Sequence, residues 1–182
     1  MQKRLVERRA KWKAEKRPEL KMRIGLNTGS AVVGNMGSKN RMDYTMMGDA
    51  VNTAARLEGV NKVYGTYTMI SDSTYASAKD EIFVRELDNV LVVGKEEPVG
   101  VYELLGYPGE IDDRIKSVIE KYTRGLRAYR NQIWDEAIGH FSAALSIEPL
   151  DGPSQTMLNR CRDFKANPPD KDWDGTFTIT TK

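Results

Sequence analysis

Two features of the sequence predict an α+β or mixed α/β domain followed by a C-terminal helical unit. Up to residue 107, stretches with two-residue apolar alternation interleave irregularly with helix-forming stretches. After Pro108-Gly109 the pattern is helical alone, which places a boundary there. The expected organisation is residues 1–107, a helical unit over 108–166, and an extended tail over 167–182. With 40% hydrophobic and 30% charged residues in 182, the chain reads as folded rather than disordered, with enough length for one core and a small appendage.

Gln2 to Arg17 is rich in Lys, Arg, Glu, Ala and Leu and predicts a helix stopped by Pro18. Its apolar stripe is narrow: Val6, Ala10 and Ala14 step by four, and Leu5 and Trp12 by seven. Lys21 to Asn27 alternates Met22, Ile24 and Leu26 with Lys21, Arg23 and Gly25, as a strand with one buried face would. Thr28-Gly29 interrupts it, and Ser30 to Val33 resumes as a second strand. Gly34 to Asn40 reads as a loop or hairpin leading to a strand at Met42 to Met47. A phosphate loop at Gly34 to Lys39 is rejected, because the G-x-x-x-x-G-K-[ST] spacing is missing and no helix follows at once.

Asp49 is the expected cap of the next helix, whose good helix formers run from Ala50 to Gly59. Ala50, Ala54 and Leu57, then Val51 and Ala55, give it faces suited to a sheet. A strand at Tyr67 to Ile70 and a short helix capped by Ser71 or Asp72 follow. Extended segments then come at Ile82 to Leu87, Val90 to Val93 and Val99 to Leu105.

Beyond the boundary, helices are expected at Asp112 to Arg130, Trp134 to Ile147 and Gly152 to Lys165. Gly125, Ala137, Phe141, Ala144 and Pro149 fall on a pattern that resembles one tetratricopeptide repeat, with Tyr129 and Trp134 as packing aromatics and the last helix as a partial second repeat. One helix pair cannot bury its own apolar face, so it must pack on the preceding domain or on another chain. In the tail, Trp173 and Phe177 are expected to dock onto a helix. His140 is expected on the surface rather than as a ligand.

The net charge of +2 hides an asymmetry: residues 1–23 carry ten Lys/Arg against three Glu, or +7, so the remainder sums to −5. The basic arm has one aromatic, Trp12, and no groove-binding motif, so it reads as a solvated helix face and no nucleic-acid partner is expected. No apolar run approaches the ~20 residues that span a membrane, and the charged N-terminus is not a signal peptide. A lone cysteine, Cys161, fits a reducing, cytoplasmic setting, although the parent could still be membrane-anchored. A single histidine excludes a His-cluster metal site.

The most informative stretch is Met42 to Gly59. Asn52 and Arg56 stand four apart, so both side chains project from one helix face, as a solvated stripe or as an amide and guanidinium that orient a phosphate or carboxylate. The string Tyr44-Thr45-x-x-Gly48-Asp49-x-Val51-Asn52-x-Ala54-Ala55-Arg56-Leu57-Glu58 closely resembles the signature of class III nucleotidyl cyclases. The resemblance continues through Ile24-Gly25-Leu26-Asn27-Thr28-Gly29, Asn61 to Thr66 and Leu91 to Gly106. It implies a ferredoxin-like cyclase sandwich with its first part missing, acting on ATP as a homodimer with magnesium or manganese. By that resemblance Asn52 orients the ribose, Arg56 stabilises phosphate charge, and Thr45 sits against the base, where its hydroxyl favours adenine over guanine less sharply than an Asp would.

Two departures qualify the expectation. The family's Lys-Gly-Lys is here Val93-Gly94-Lys95, so Val93 cannot grip the triphosphate, and Lys95 either reaches it or is a solvated turn lysine. The family's metal-binding carboxylates and the lysine that partners Thr45 lie before the present Gln2, and Glu7, Glu15 and Glu19 do not replace them. The expectation is a partial adenylate cyclase with little turnover alone and no bound metal. The alternatives are a catalytically dead cyclase-like interaction module, with a protein partner on its repeat, or a guanylate cyclase.

Overall fold

The computed structural model describes residues 1–38, 40–92 and 97–179 of the 182-residue chain. Helix α1 (Gln2–Ala14) opens it, followed by strands β1 (Ile24–Leu26), β2 (Val32–Ser38) and β3 (Arg41–Met47). Helix α2 (Asp49–Tyr64), β4 (Thr68–Ser71), α3 (Asp72–Ala78), β5 (Phe83–Leu91) and β6 (Val99–Gly106) complete the α+β part. Helices α4 (Asp113–Arg130), α5 (Trp134–Ile147) and α6 (Gly152–Ala166) follow, and β7 (Phe177–Thr178) closes the described chain.

One sheet has the order β1-β4-β6-β5-β7, parallel at its two outer pairs and antiparallel between, while β2 and β3 form a separate antiparallel ribbon. β4 is buried at every residue, as its central place requires. Helix α2 lies across β1 and β4, and the approach is close because β1 carries Gly25. A Cβ there would stand 2.2 Å from the Ala54 carbonyl oxygen and 2.4 Å from the Glu58 nitrogen.

The α2 boundaries differ from the expected ones. Asp49 is the first helical residue rather than the cap, which is Gly48 at φ 149°, a conformation open to glycine. At the other end the helix passes Gly59, where a Cβ would meet nothing within 4 Å, and stops at Gly65 in the left-handed region. Thr53, Leu57, Val60, Asn61 and Tyr64 form its buried face, and this packing carries the helix through the glycine. Ala55, expected to pack on the sheet, is exposed.

Other expectations shift in similar ways. Helix α1 ends at Ala14 rather than Arg17, because Lys16 adopts φ 55° and turns the chain early. Of the loop or hairpin expected at Gly34 to Asn40, the hairpin is found: Gly34 to Ser38 belongs to β2 and pairs in register with Arg41 to Thr45. Ile82 to Leu87 and the described part of Val90 to Val93 are not two segments: Phe83 to Leu91 is one strand with an irregularity between Glu86 and Asp88, and Val93 lies outside the described residues.

Helices α4 and α5 pack side by side, α5 packs on α6, α4 touches β5, and α6 touches α2. The core is therefore continuous: Leu57, Val60 and Tyr64 of α2 join Tyr122, Tyr129, Phe141 and Met157 of the helices. Gly125 permits the α4–α5 contact, since its Cβ would lie 2.9 Å from the Phe141 ring. In the tail, Trp173 joins Tyr129, Trp134 and Phe164 in a cluster with ring centroids 5.1 to 6.1 Å apart. β7 adds to the edge of β5, with Ile179 N–H donating to the Leu91 carbonyl at 3.0 Å. Among the described residues no helix is long and apolar enough to cross a membrane.

Candidate functional site

Helix α2 is held at both ends. Near its start, the Asn27 amide donates to the Ala50 carbonyl at 3.0 Å, and the Asn27 Oδ1 accepts from Ser73 Oγ at 3.1 Å. Ser73 also donates to the Thr28 carbonyl at 3.0 Å, so the loop after β1, the start of α2 and α3 form one hydrogen-bonded unit. Towards its end, the fully buried Asn61 amide donates to the carbonyls of Ile24 at 3.0 Å and Leu57 at 2.9 Å, and its oxygen accepts from Thr66 at 2.9 Å. Every polar atom of that buried side chain has a partner, which fixes α2 along β1. The sequence signature running from Asn61 to Thr66 thus has a structural reason, independent of chemistry.

On this helix Asn52 is exposed, one turn before the half-buried Arg56. The Nη1 atom of Arg56 is buried and has no hydrogen-bond partner among the described residues. A guanidinium nitrogen without a partner is costly in a folded chain, and an anion arriving on that face would satisfy it. Thr45 lies on the exposed strand β3, opposite Gly34, three residues before the Gly48 turn that starts α2. Lys95 and Val93 lie outside the described residues.

These side chains do not line an enclosed pocket. A cleft of about 390 Å³, lined by Asn27, Ser30, Asp49, Thr53, Asp72 and Glu97, opens at the start of α2, and Thr45, Asn52 and Arg56 are not among its lining residues. Another cavity, about 450 Å³, lies on the helical unit beside Arg124, Arg127, Ile133 and half-buried His140. Asn52 and Arg56 lie on one face of α2 and Thr45 on the exposed strand leading into it, an open wall outside both of these cavities. Among the described residues no three His, Cys, Asp or Glu side chains come together in a way that would hold a metal.

Next to this wall, the β2–β3 ribbon is apolar and uncovered. Val32, Val33, Met42, Tyr44, Met46 and Met47 are each more than half exposed, and paired strands with apolar side chains open to water are a surface awaiting a cover.

What sequence reasoning missed are the supports rather than the site. Gly25 and Asn27 belong to a motif singled out in the sequence, yet their contacts with α2 follow only from the fold.

Comparison with known proteins gives a consistent result. Residues 1–106, more than half of the chain, match the family described as the adenylate and guanylate cyclase catalytic domain. The chain is 35% identical over 144 residues to the terminal-differentiation-specific adenylate cyclase of Dictyostelium discoideum, covering 76% of this chain and 7% of that protein. It is 45% identical over 89 residues to adenylate cyclase 1 of Rhizobium meliloti, covering 49% of this chain and 13% of that one. Among solved structures, the adenylyl cyclase CyaB from P. aeruginosa superposes with TM-score 0.52 at 33% identity, covering 60% of this chain and 56% of that chain. The guanylyl cyclase Cya2 superposes with TM-score 0.50 at 32% identity, covering 59% and 54%. The chain thus spans only a small fraction of these curated relatives and about half of the solved catalytic chains.

Proposed function

Since the chain belongs to the adenylate and guanylate cyclase catalytic-domain family, we propose that it supplies the nucleotide-recognising wall of an adenylate cyclase that converts ATP to 3′,5′-cyclic AMP and pyrophosphate. Thr45 faces the adenine, Asn52 orients the ribose, and Arg56 takes up the negative charge that builds on the α-phosphate as the 3′-oxygen attacks. Lys95 is assigned to the triphosphate on the same resemblance. The observation that carries this reading is the buried, unpartnered Nη1 of Arg56 on a helix pinned at both ends. A donor carried on a helix held at both ends is placed before the charge develops.

Magnesium or manganese belongs to the chemistry of this family, and the described residues bring together no group of three His, Cys, Asp or Glu side chains that would hold it. The metal ligands of the active enzyme are proposed to lie outside these 182 residues, so this chain alone is expected to turn over little ATP. The uncovered apolar ribbon supports assembly as a homodimer, with the open wall of one protomer closed by its partner. The proposed setting is cytoplasmic.

The test is cyclic nucleotide production from ATP and from GTP with manganese, by this chain and by a form extended upstream. Activity on ATP in the extended form, reduced about 10²–10³-fold by Arg56→Ala, is the expected outcome. A preference for GTP would make it a guanylate cyclase. No activity in either form would favour an inactive cyclase-like module whose tetratricopeptide-like helices, packed through Gly125 against Phe141, bind a protein partner.

A further inference from the structure

Helix α6 meets the C-terminal end of α2 along a single stripe. Gly152, Thr156 and Arg160 are spaced by four, so they share a face. At Gly152 the backbones are so close that a Cβ would lie 2.5 Å from the Tyr64 carbonyl oxygen. The Thr156 hydroxyl donates to the Val63 carbonyl at 2.9 Å, satisfying one of the acceptors that a helix end leaves open. At Arg160, Nη1 donates to Asp88 Oδ2 of β5 and Nη2 donates to the Tyr64 hydroxyl at 3.3 Å. The Tyr64 hydroxyl in turn donates to Asp88 Oδ2 at 2.7 Å, and the Asn89 N–H donates to Asp88 Oδ1 at 2.9 Å.

This triangle is dry: Asp88 and Tyr64 are 0% exposed and Arg160 is 6% exposed, with the Phe177 ring over its guanidinium at 3.4 Å. Burial pushes the Asp88 carboxyl above its ordinary range, against the charge of Arg160 and the hydrogen bonds from Tyr64 and Arg160. Removing the arginine would leave a buried carboxyl without its counter-charge. A second buried arginine pins the start of α6. Arg85 of β5 donates to Asp151 Oδ1 at 2.8 Å and to Glu103 Oε2 at 3.0 Å, and Asp151 is itself the N-cap of α6, accepting from the Ser154 N–H at 3.0 Å. Helix α6 is thus fixed on the sheet by charge at its start and at its middle, and carries the last turn of α2 with it.

On the strength of the cyclase reading, we propose that Arg160 is a positioning residue for catalysis. Through Tyr64 and Asp88 it sets where α2 lies, and hence where Asn52 and Arg56 stand, so the helical unit is a working part of the catalytic domain. Arg56 is eight residues from Tyr64 on the same helix, and a rigid helix transmits a shift at its end along its length. The similarity to the Dictyostelium discoideum cyclase covers 76% of this chain, beyond the 106 residues of the family match, so it takes in part of the helical unit.

The experiment is steady-state kinetics of the protein extended upstream with ATP, for Tyr64→Phe, Arg160→Met, Arg160→Lys and Phe164→Leu. Tyr64→Phe keeps the ring and removes only the hydroxyl that links α2 to Asp88 and Arg160, so it tests the idea even if Arg160→Met fails to fold. Phe164→Leu weakens α6 through its aromatic cluster while leaving every hydrogen bond among Arg160, Tyr64 and Asp88 in place, and it serves as the stability control. A displaced Arg56 lowers kcat by about ten- to a hundredfold while KM for ATP moves little. The expected result is that loss for Tyr64→Phe and Arg160→Met, partial recovery in Arg160→Lys, and non-additivity when the two losses are combined. Hydrogen exchange across residues 57–64 should rise in the same variants. Kinetics like those of wild type, or a loss no greater than that of Phe164→Leu at matched thermal stability, would overturn the proposal while leaving the cyclase reading intact. Wild-type protein extended upstream that makes no cyclic nucleotide would overturn the cyclase reading, and this role with it.

Discussion

Gly25→Ala should displace the helix that carries Asn52 and Arg56. The added methyl would sit 2.2 Å from the Ala54 carbonyl oxygen, 2.4 Å from the Glu58 nitrogen and 2.9 Å from the Leu57 carbonyl carbon, all backbone atoms of α2. Backbone cannot swing aside as a side chain can, so α2 must move off β1 by roughly 1 Å to restore ordinary contact distances. That movement strains the Asn61 bond to the Ile24 carbonyl, now 3.0 Å, and loosens Leu57 and Val60. Overpacking costs about 1–3 kcal/mol and a weakened buried hydrogen bond about 1 more, for a total near 2–4 kcal/mol. For a chain of this size the melting temperature should fall by about 4–16 °C. In the catalytically complete protein, a shift of that size at the reacting groups should cost about a hundredfold in kcat. Gly59→Ala is the internal control. It lies on the same helix, its Cβ would meet nothing within 4 Å, and it should stabilise by roughly 0.5–1 kcal/mol. Thermal melts by circular dichroism, with cyclic nucleotide assays well below either midpoint, check both. Equal melting temperatures for the two variants would refute the close-packing argument.

Two further predictions concern the helical unit. Asp151→Ala removes both the α6 cap and a partner of Arg85, which is only 5% exposed, so urea unfolding should show a loss of about 3–5 kcal/mol; Asp151→Asn, which can keep the cap acceptor, should cost less. Burial pushes the Cys161 thiol up to about 12, with Arg160 opposing and Asp88 reinforcing that rise. Alkylation of native chain at pH 8 should therefore be on the order of a thousandfold slower than of unfolded chain. Because the folded thiol stays neutral, its contribution to stability is complete below the unfolded value of about 8.5 and is lost as pH rises from there towards the folded value. Thiol labelling followed from pH 7 to 10 checks both statements, and fast native labelling at pH 8 would refute them.

The elements of this fold were readable where local pattern and tertiary packing agree, and unreadable where they oppose each other. Strict alternation from Lys21 to Asn27 announced the strand at Ile24–Leu26, and the helices at 113–130, 134–147 and 152–166 lie within a residue of their expected bounds. Gly59 reads as a helix stop, yet Val60, Asn61 and Tyr64 are all buried by the sheet and α6, and that burial outweighs about 1 kcal/mol of glycine penalty. Asp88-Asn89 reads as a turn between two extended segments. It is instead the middle of one strand, because its carboxylate is matched by an arginine that comes 72 residues later. Gly34 to Ser38 has the composition of a loop, but full pairing with β3 satisfies its backbone and makes it a strand.

The site was legible for a different reason. Asn52, Arg56 and Thr45 belong to a contiguous string whose spacing is set by one strand end, one tight turn and one helix, so local sequence carries most of its geometry. Its supports come from three other segments: Gly25 and Asn27 before it, Asp88 after it, and Arg160 far beyond. Apolar contacts alone would tolerate sliding of α2 along the sheet, since dispersion and burial are non-directional. Buried charged hydrogen bonds add little net stability but fail steeply when their partners move. Arg85 and Arg160 join the helical unit to the sheet, and Arg160 and Tyr64 join it to α2. Their contribution is therefore to the placement of that helix more than to the cohesion of the core.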